Sequence, residues 1–192
     1  MSLLFGAHPA AAQQQVTEDQ PKSQEIQAVE RGFFIEADVG GNLMVTEIDG
    51  RTHGFGANAG LYLGFDVLPI LSIMAGATAV LAPGSQGNAL RGDLLYLTPM
   101  AQLQLAVLST ERDFLYGRAG IGFAFGLPDT VENNGASAEF GGNGVAFTGV
   151  VGYEHYTKLR HFSFGVTAGV FGATAPTFAL GVSLVPTLKY TF

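Results

Sequence analysis

Between residues 54 and 66 the chain reads GFGANAGLYLGFD. Phe55, Ala57, Ala59, Leu61, Leu63 and Phe65 share one face of an extended chain. Gly54, Gly56, Asn58, Gly60, Tyr62, Gly64 and Asp66 share the other. Side chains alternate across a strand, so a strict period of two over this length predicts a strand and not a helix. The row Phe33, Ile35, Ala37 and Val39 behaves in the same way, and so do the rows that begin at Leu71, Leu95, Leu115, Val145, Phe162 and Phe178. Eight strands are predicted.

What shares the strands with the apolar rows decides which way those rows point. A soluble sandwich or barrel carries Lys and Glu on its outer face. Here the second face is mostly Gly, Ser, Thr, Asn and Gln, with a few charges. Small polar side chains fit the crowded interior of a narrow barrel. The apolar rows then face lipid, as in a transmembrane barrel. Closure follows, because an open sheet edge in hydrocarbon leaves unpaired backbone groups at several kcal/mol each. The predicted fold class is therefore all-β: an eight-stranded antiparallel up-and-down transmembrane barrel.

Two uncharged stretches, 67–82 and 162–186, compete as transmembrane helices. A spanning helix needs about 20 apolar residues, which the second stretch reaches. It is interrupted by Thr174-Ala175-Pro176-Thr177, however, and alternation runs on both sides of the break. Pro99 and Pro186 fall inside strand patterns, where a missing N–H predicts a bulge or a strand end.

Composition supports a lipid-facing chain. Charged residues are 13 % of the 192, against a typical quarter, and 27 residues are Gly. Mean hydropathy is +0.29. There is no Cys, so neither a disulfide framework nor a thiolate metal site is expected. A net charge of −7 without a basic block argues against nucleic acid as a partner.

The first residues, 1–12, pair a short apolar stretch with Ala10-Ala11-Ala12 and read as the remnant of a secretory signal peptide. The polar stretch 13–31 reads as a flexible periplasmic lead-in with a turn of helix near 23–30, and 32–192 as the barrel. Connections at 67–69, 108–113 and 157–161 are short. They alternate with longer ones at 45–53, 83–92 and 127–143 and a brief one at 172–177. Short periplasmic turns and longer outer loops are the rule for outer-membrane barrels, which sets both termini in the periplasm.

The last strand carries Phe178, Leu180, Val182, Leu184, Leu188, Tyr190 and Phe192 on one face. This row resembles the carboxy-terminal signature of bacterial outer-membrane barrels, and the layout of 32–192 is similar to the eight-stranded OmpA transmembrane-domain and OmpX type. The resemblance implies Phe178, Leu180, Leu184, Leu188, Tyr190 and Phe192 as the strand read by the barrel-assembly machinery. It also implies outer-membrane lipid and lipopolysaccharide as surroundings. A fainter likeness, with no motif behind it, is to a small barrel of a cell-surface machine such as gliding motility.

Three functional readings follow from the side chains. His161-Phe162-Ser163 is similar to the His-x-Ser pair of outer-membrane lipid A deacylases, but His161 falls at the periplasmic end and no acidic residue follows it to orient the base. Glu36, Asp38, Tyr62, Arg118 and Glu154 form a polar cluster in the lumen, with Asp66 and Lys189 also inward by parity. A charge there is costly unless paired, so Arg118 is expected to pair with Glu36, Asp38 or Glu154. The favoured outcome is a plug, and the alternative is a narrow gated channel. The longest connection offers Asp129, Glu132, Asn133, Glu139 and Phe140 as a surface for an envelope protein or other partner. No catalytic residue, metal or cofactor is expected, and the favoured function is a non-enzymatic structural or partner-binding component of the cell envelope or a cell-surface machine, acting through its outer loops or periplasmic rim.

Overall fold

The computed structural model describes residues 31–45, 54–82, 90–91, 94–127, 130–133, 136–139, 142–159, 161–174 and 178–192. The expected signal remnant and nearly all of the lead-in lie outside the described residues. The strands are β1 (Phe33–Met44), β2 (Phe55–Leu68), β3 (Leu71–Ala82), β4 (Leu90–Arg91), β5 (Leu94–Ser109) and β6 (Asp113–Leu127). They continue with β7 (Thr130–Asn133), β8 (Ala136–Glu139), β9 (Gly142–Tyr156), β10 (Phe162–Ala173) and β11 (Ala179–Thr191).

Eight of these close a barrel in the order β1-β11-β10-β9-β6-β5-β3-β2, with every neighbouring pair antiparallel. The barrel is all-β and up-and-down, as the alternation predicts. Among the described residues no helix is long and apolar enough to cross a membrane. Every apolar row named above faces outward, and the exposed large side chains include Leu61, Leu63, Ile73, Leu103, Ile121, Val151 and Leu184. Aromatic residues gather at both ends of this exterior. Phe33, Phe65, Tyr153, Phe164, Tyr190 and Phe192 lie at the end that holds the two chain termini, and Phe55, Phe125, Phe147 and Phe178 at the end with the longer connections. An apolar band between two aromatic girdles is the exterior of a membrane barrel.

The prolines depart from expectation. Pro99 stays opposite Ala77 and Pro186 opposite Val166, and neither ends its strand. Each loses pairing only on its other side, where the register resumes unchanged: Leu97 opposes Phe125 and Met100 opposes Gly122, while Asp38 opposes Thr187 and Gly41 opposes Leu184. A strand donates to its two neighbours alternately, so one missing N–H interrupts one ladder and spares the other. A glycine lies near each gap. A Cβ on Gly122 would collide with the Pro99 carbonyl oxygen, and one on Gly40 would stand 2.6 Å from that of Leu184. The register shifts occur elsewhere, between Asp66 and Leu68 and between Ala106 and Leu108, near the terminal end.

Beyond the barrel wall a second, three-stranded sheet runs β4-β7-β8. In step with the β5–β6 ladder, where Leu95 faces Leu127, Arg91 would face Val131; it faces Glu132. In step with β6–β9, where Gly126 faces Gly142, Thr130 would face Ala138; it faces Glu139. The β5-β6-β9 wall is thus prolonged past the barrel as a fin, shifted by one residue. On the other side β10 and β11 are joined across 174–178 alone.

Candidate functional site: a two-tiered lumen and an outer fin

Inward positions are set by parity, and two tiers result. The tier nearer the termini is charged. Arg118 on β6 and Glu36 on β1 come from opposite walls, four strands apart in either direction, and meet across the lumen at 2.7 Å. Both side chains are almost wholly buried. Arg118 also donates from Nε and Nη2 to Gln104 Oε1 at 3.1 and 2.8 Å and from Nη2 to the Tyr116 hydroxyl at 3.3 Å. Its guanidinium lies 5.2 Å from the Tyr116 ring centre and 5.9 Å from that of Tyr62. A guanidinium with five donors suits this crossing, because it can serve an ion pair and a neutral acceptor together.

A second pair lies beside the first. Lys189 Nζ on β11 is 3.4 Å from Glu154 Oε1 on β9, and it sits 4.2 Å from the Phe34 ring centre. Ser163, on the β10 strand between them, donates its hydroxyl to the same carboxylate. Tyr62 bonds through its hydroxyl to Thr78. At the mouth, Ser72 donates to Asp66 at 2.6 Å.

The tier nearer the long connections is apolar. Val80, Ala82, Leu94, Tyr96, Ala124, Ala146, Phe171, Ala173 and Ala179 pack together there, and Tyr96 and Phe171 have ring centres 5.9 Å apart. Two cavities inside the barrel measure about 30 Å³ between the tiers and about 20 Å³ at the terminal mouth. A concavity of about 780 Å³ lies on the exterior, where Ala75, Ala101 and Ala119 leave a hollow beside Leu63, Ile73 and Ile121.

The structure brings Glu36, Tyr62 and Arg118 together and places Glu154 in its own pair with Lys189. Asp38 is buried near them with no ion-pair contact among the described residues. His161 and Ser163 turn to separate partners. The Ser163 hydroxyl is wholly buried and serves Glu154, whereas the His161 ring bonds the Thr191 carbonyl at 3.0 Å and stacks on Tyr190. Of the loop residues, Glu132 and Asn133 lie in β7 and Glu139 in β8, while Asp129 and Phe140 lie outside the described residues. The β11 row Phe178, Leu184, Leu188, Tyr190 and Phe192 is exposed along the exterior, with Leu180 half-buried on the same face.

Gln104, Tyr116 and the apolar tier are absent from the sequence reading. Parity places each of them inward, but only the register sets Gln104 opposite Arg118. A run of large apolar residues at inward positions, Val80, Leu94, Tyr96 and Phe171, was the available signal for the seal.

No protein-family model matches the sequence, and no curated protein is matched by it. Solved structures are matched by shape. Neisserial surface protein A superposes with a TM-score of 0.64 at 11 % identity, covering 84 % of this chain and 97 % of that one. The fold is that of small outer-membrane barrels. Ail, the attachment invasion locus protein of Yersinia pestis, gives 0.57 at 12 % identity, with 84 % of this chain and 100 % of that one covered. Ail in complex with the heparin analogue sucrose octasulfate gives 0.54, also at 12 % identity and with the same coverage. At such identities the likeness concerns architecture.

Proposed function

We propose that this protein is a non-enzymatic barrel of the bacterial outer membrane, with both termini periplasmic, that binds a partner through the β4-β7-β8 fin. The observation that carries this reading is the fin itself. One side of the barrel wall continues outward as a paired sheet, while the β10–β11 side stops at a short connection. Rigid scaffolds that hold one projecting segment commonly use it for recognition. Buried side chains of both tiers occupy the lumen, which supports a plug over a conduit, and the buried Ser163 hydroxyl, given to Glu154, supports a non-enzymatic reading.

Charge narrows the partner. Residues 127–143 contain Asp129, Glu132 and Glu139 and no Lys or Arg, and Arg91 stands opposite Glu132. The heparin analogue bound by Ail is a polyanion; the acidic stretch 127–143 suits a cationic segment of an envelope or surface protein instead. The row Phe178, Leu180, Leu184, Leu188, Tyr190 and Phe192 serves as the strand that the assembly machinery reads, and Phe192→Ala should lower the yield of folded barrel in cells.

The test is crosslinking on intact cells from a reporter residue at position 137, compared with a chain in which 130–139 is replaced by a Gly-Ser turn. A captured protein that is lost with the fin supports the reading. Equal capture without the fin, or cleavage products of lipid A that disappear in Ser163→Ala, would overturn it.

A further inference from the structure

The inward-facing charges do not balance. Glu36, Asp38, Asp66 and Glu154 bring four carboxylates to the lumen, against Arg118 and Lys189. Glu36 is held by Arg118 and Glu154 by Lys189. Asp66 accepts from Ser72 and shares the terminal mouth with Arg31. Asp38 is left over. It is 8 % exposed, and its Oδ1 has no hydrogen-bond partner among the described residues. The cation that acts on it, Arg118, is already paired with Glu36, and a buried carboxylate with no ion pair of its own is strongly unfavourable.

Two further acceptors that line the same cavity share its condition. Asn58 Oδ1 and Gln102 Oε1 also lack partners, on residues 8 % and 6 % exposed. The Gln102 amide nitrogen is already turned to Met100 Sδ at 2.9 Å. Asp38, Asn58 and Gln102 come from β1, β2 and β5, and all three line the cavity of about 30 Å³ between the charged and the apolar tiers. A cavity of this size holds one ion or one water. Its unmet groups are one carboxylate oxygen and two amide carbonyl oxygens, a hard, oxygen-only donor set. With Asp66 set against Arg31 at the mouth, the surplus left inside the lumen is one negative charge.

We propose that this cavity binds a single monovalent cation of sodium size through Asp38, Asn58 and Gln102. Arg118 also lines the cavity, but its guanidinium is engaged by Glu36 and Gln104 on the terminal side. A divalent ion would overshoot the charge and meet only one carboxylate, where calcium sites collect several oxygen ligands. The bound ion ties β1, β2 and β5 together just beneath the apolar seal.

The purified, folded barrel is melted in detergent in sodium chloride and in N-methylglucamine chloride at equal ionic strength, and crystals are soaked in thallium acetate. The expected results are a higher midpoint in sodium, its absence in Asp38→Asn and Asn58→Ala, and one anomalous peak beside Asp38 Oδ1. Unheated gel migration confirms that each variant is folded. Equal melting in both salts, protection by calcium but not sodium, or only a water in the cavity would each overturn the site.

Discussion

The two tiers of the lumen do the same steric job by opposite means. Near the termini, Glu36, Arg118, Gln104, Glu154 and Lys189 fill the barrel with charge, and each group is held by a partner. Nearer the long connections, Leu94, Tyr96, Val80 and Phe171 fill it with hydrocarbon. Desolvated ion pairs contribute little net stability, but breaking one leaves a bare charge. Losing a packed apolar side chain leaves a cavity and no bare charge, and close packing leaves little room for water. The charged tier therefore fixes which strands face each other across the lumen, and the apolar tier closes it.

Removing one partner of the crossing pair should have the largest effect. Arg118→Ala strands the Glu36 carboxylate and should destabilise the barrel by about 3–5 kcal/mol in urea titrations, without creating ion conductance. Phe171→Ala opens a cavity in the seal and should lose about 3 kcal/mol, but this variant should admit water or ions. Conductance from Arg118→Ala and none from Phe171→Ala would reverse the roles assigned to the tiers. Replacing Lys189 and Glu154 together with Met and Leu should leave stability within about 1–2 kcal/mol of wild type, whereas either change alone should be far more damaging. Exchange of 130–139 for a Gly-Ser turn should move the unfolding midpoint least, by about 0.5 kcal/mol or less, because that segment lies outside the barrel.

The sequence was most legible where one periodic signal governs many residues. Strict alternation at 54–66 and its seven counterparts gave the strands, their inward and outward faces and the strand count, because a slip of one residue would turn a whole row from lipid to lumen. It was less legible where neighbours in space are distant in sequence. That Arg118 meets Glu36, and not Glu154, depends on β6 and β1 standing opposite each other, which follows only from closure. The prolines misled for a related reason: a missing N–H matters to one neighbour, and the sequence does not say that the other ladder holds. The fin was hidden because its strands are four residues or fewer, too short for alternation to register.

Placing function on the fin depends on the lumen being shut. Planar bilayer recording on the wild-type barrel tests that most directly, with Phe171→Ala as the paired control. A shut lumen gives no steady current in the wild type and measurable conductance in Phe171→Ala. Large, steady currents from the wild type would contradict it.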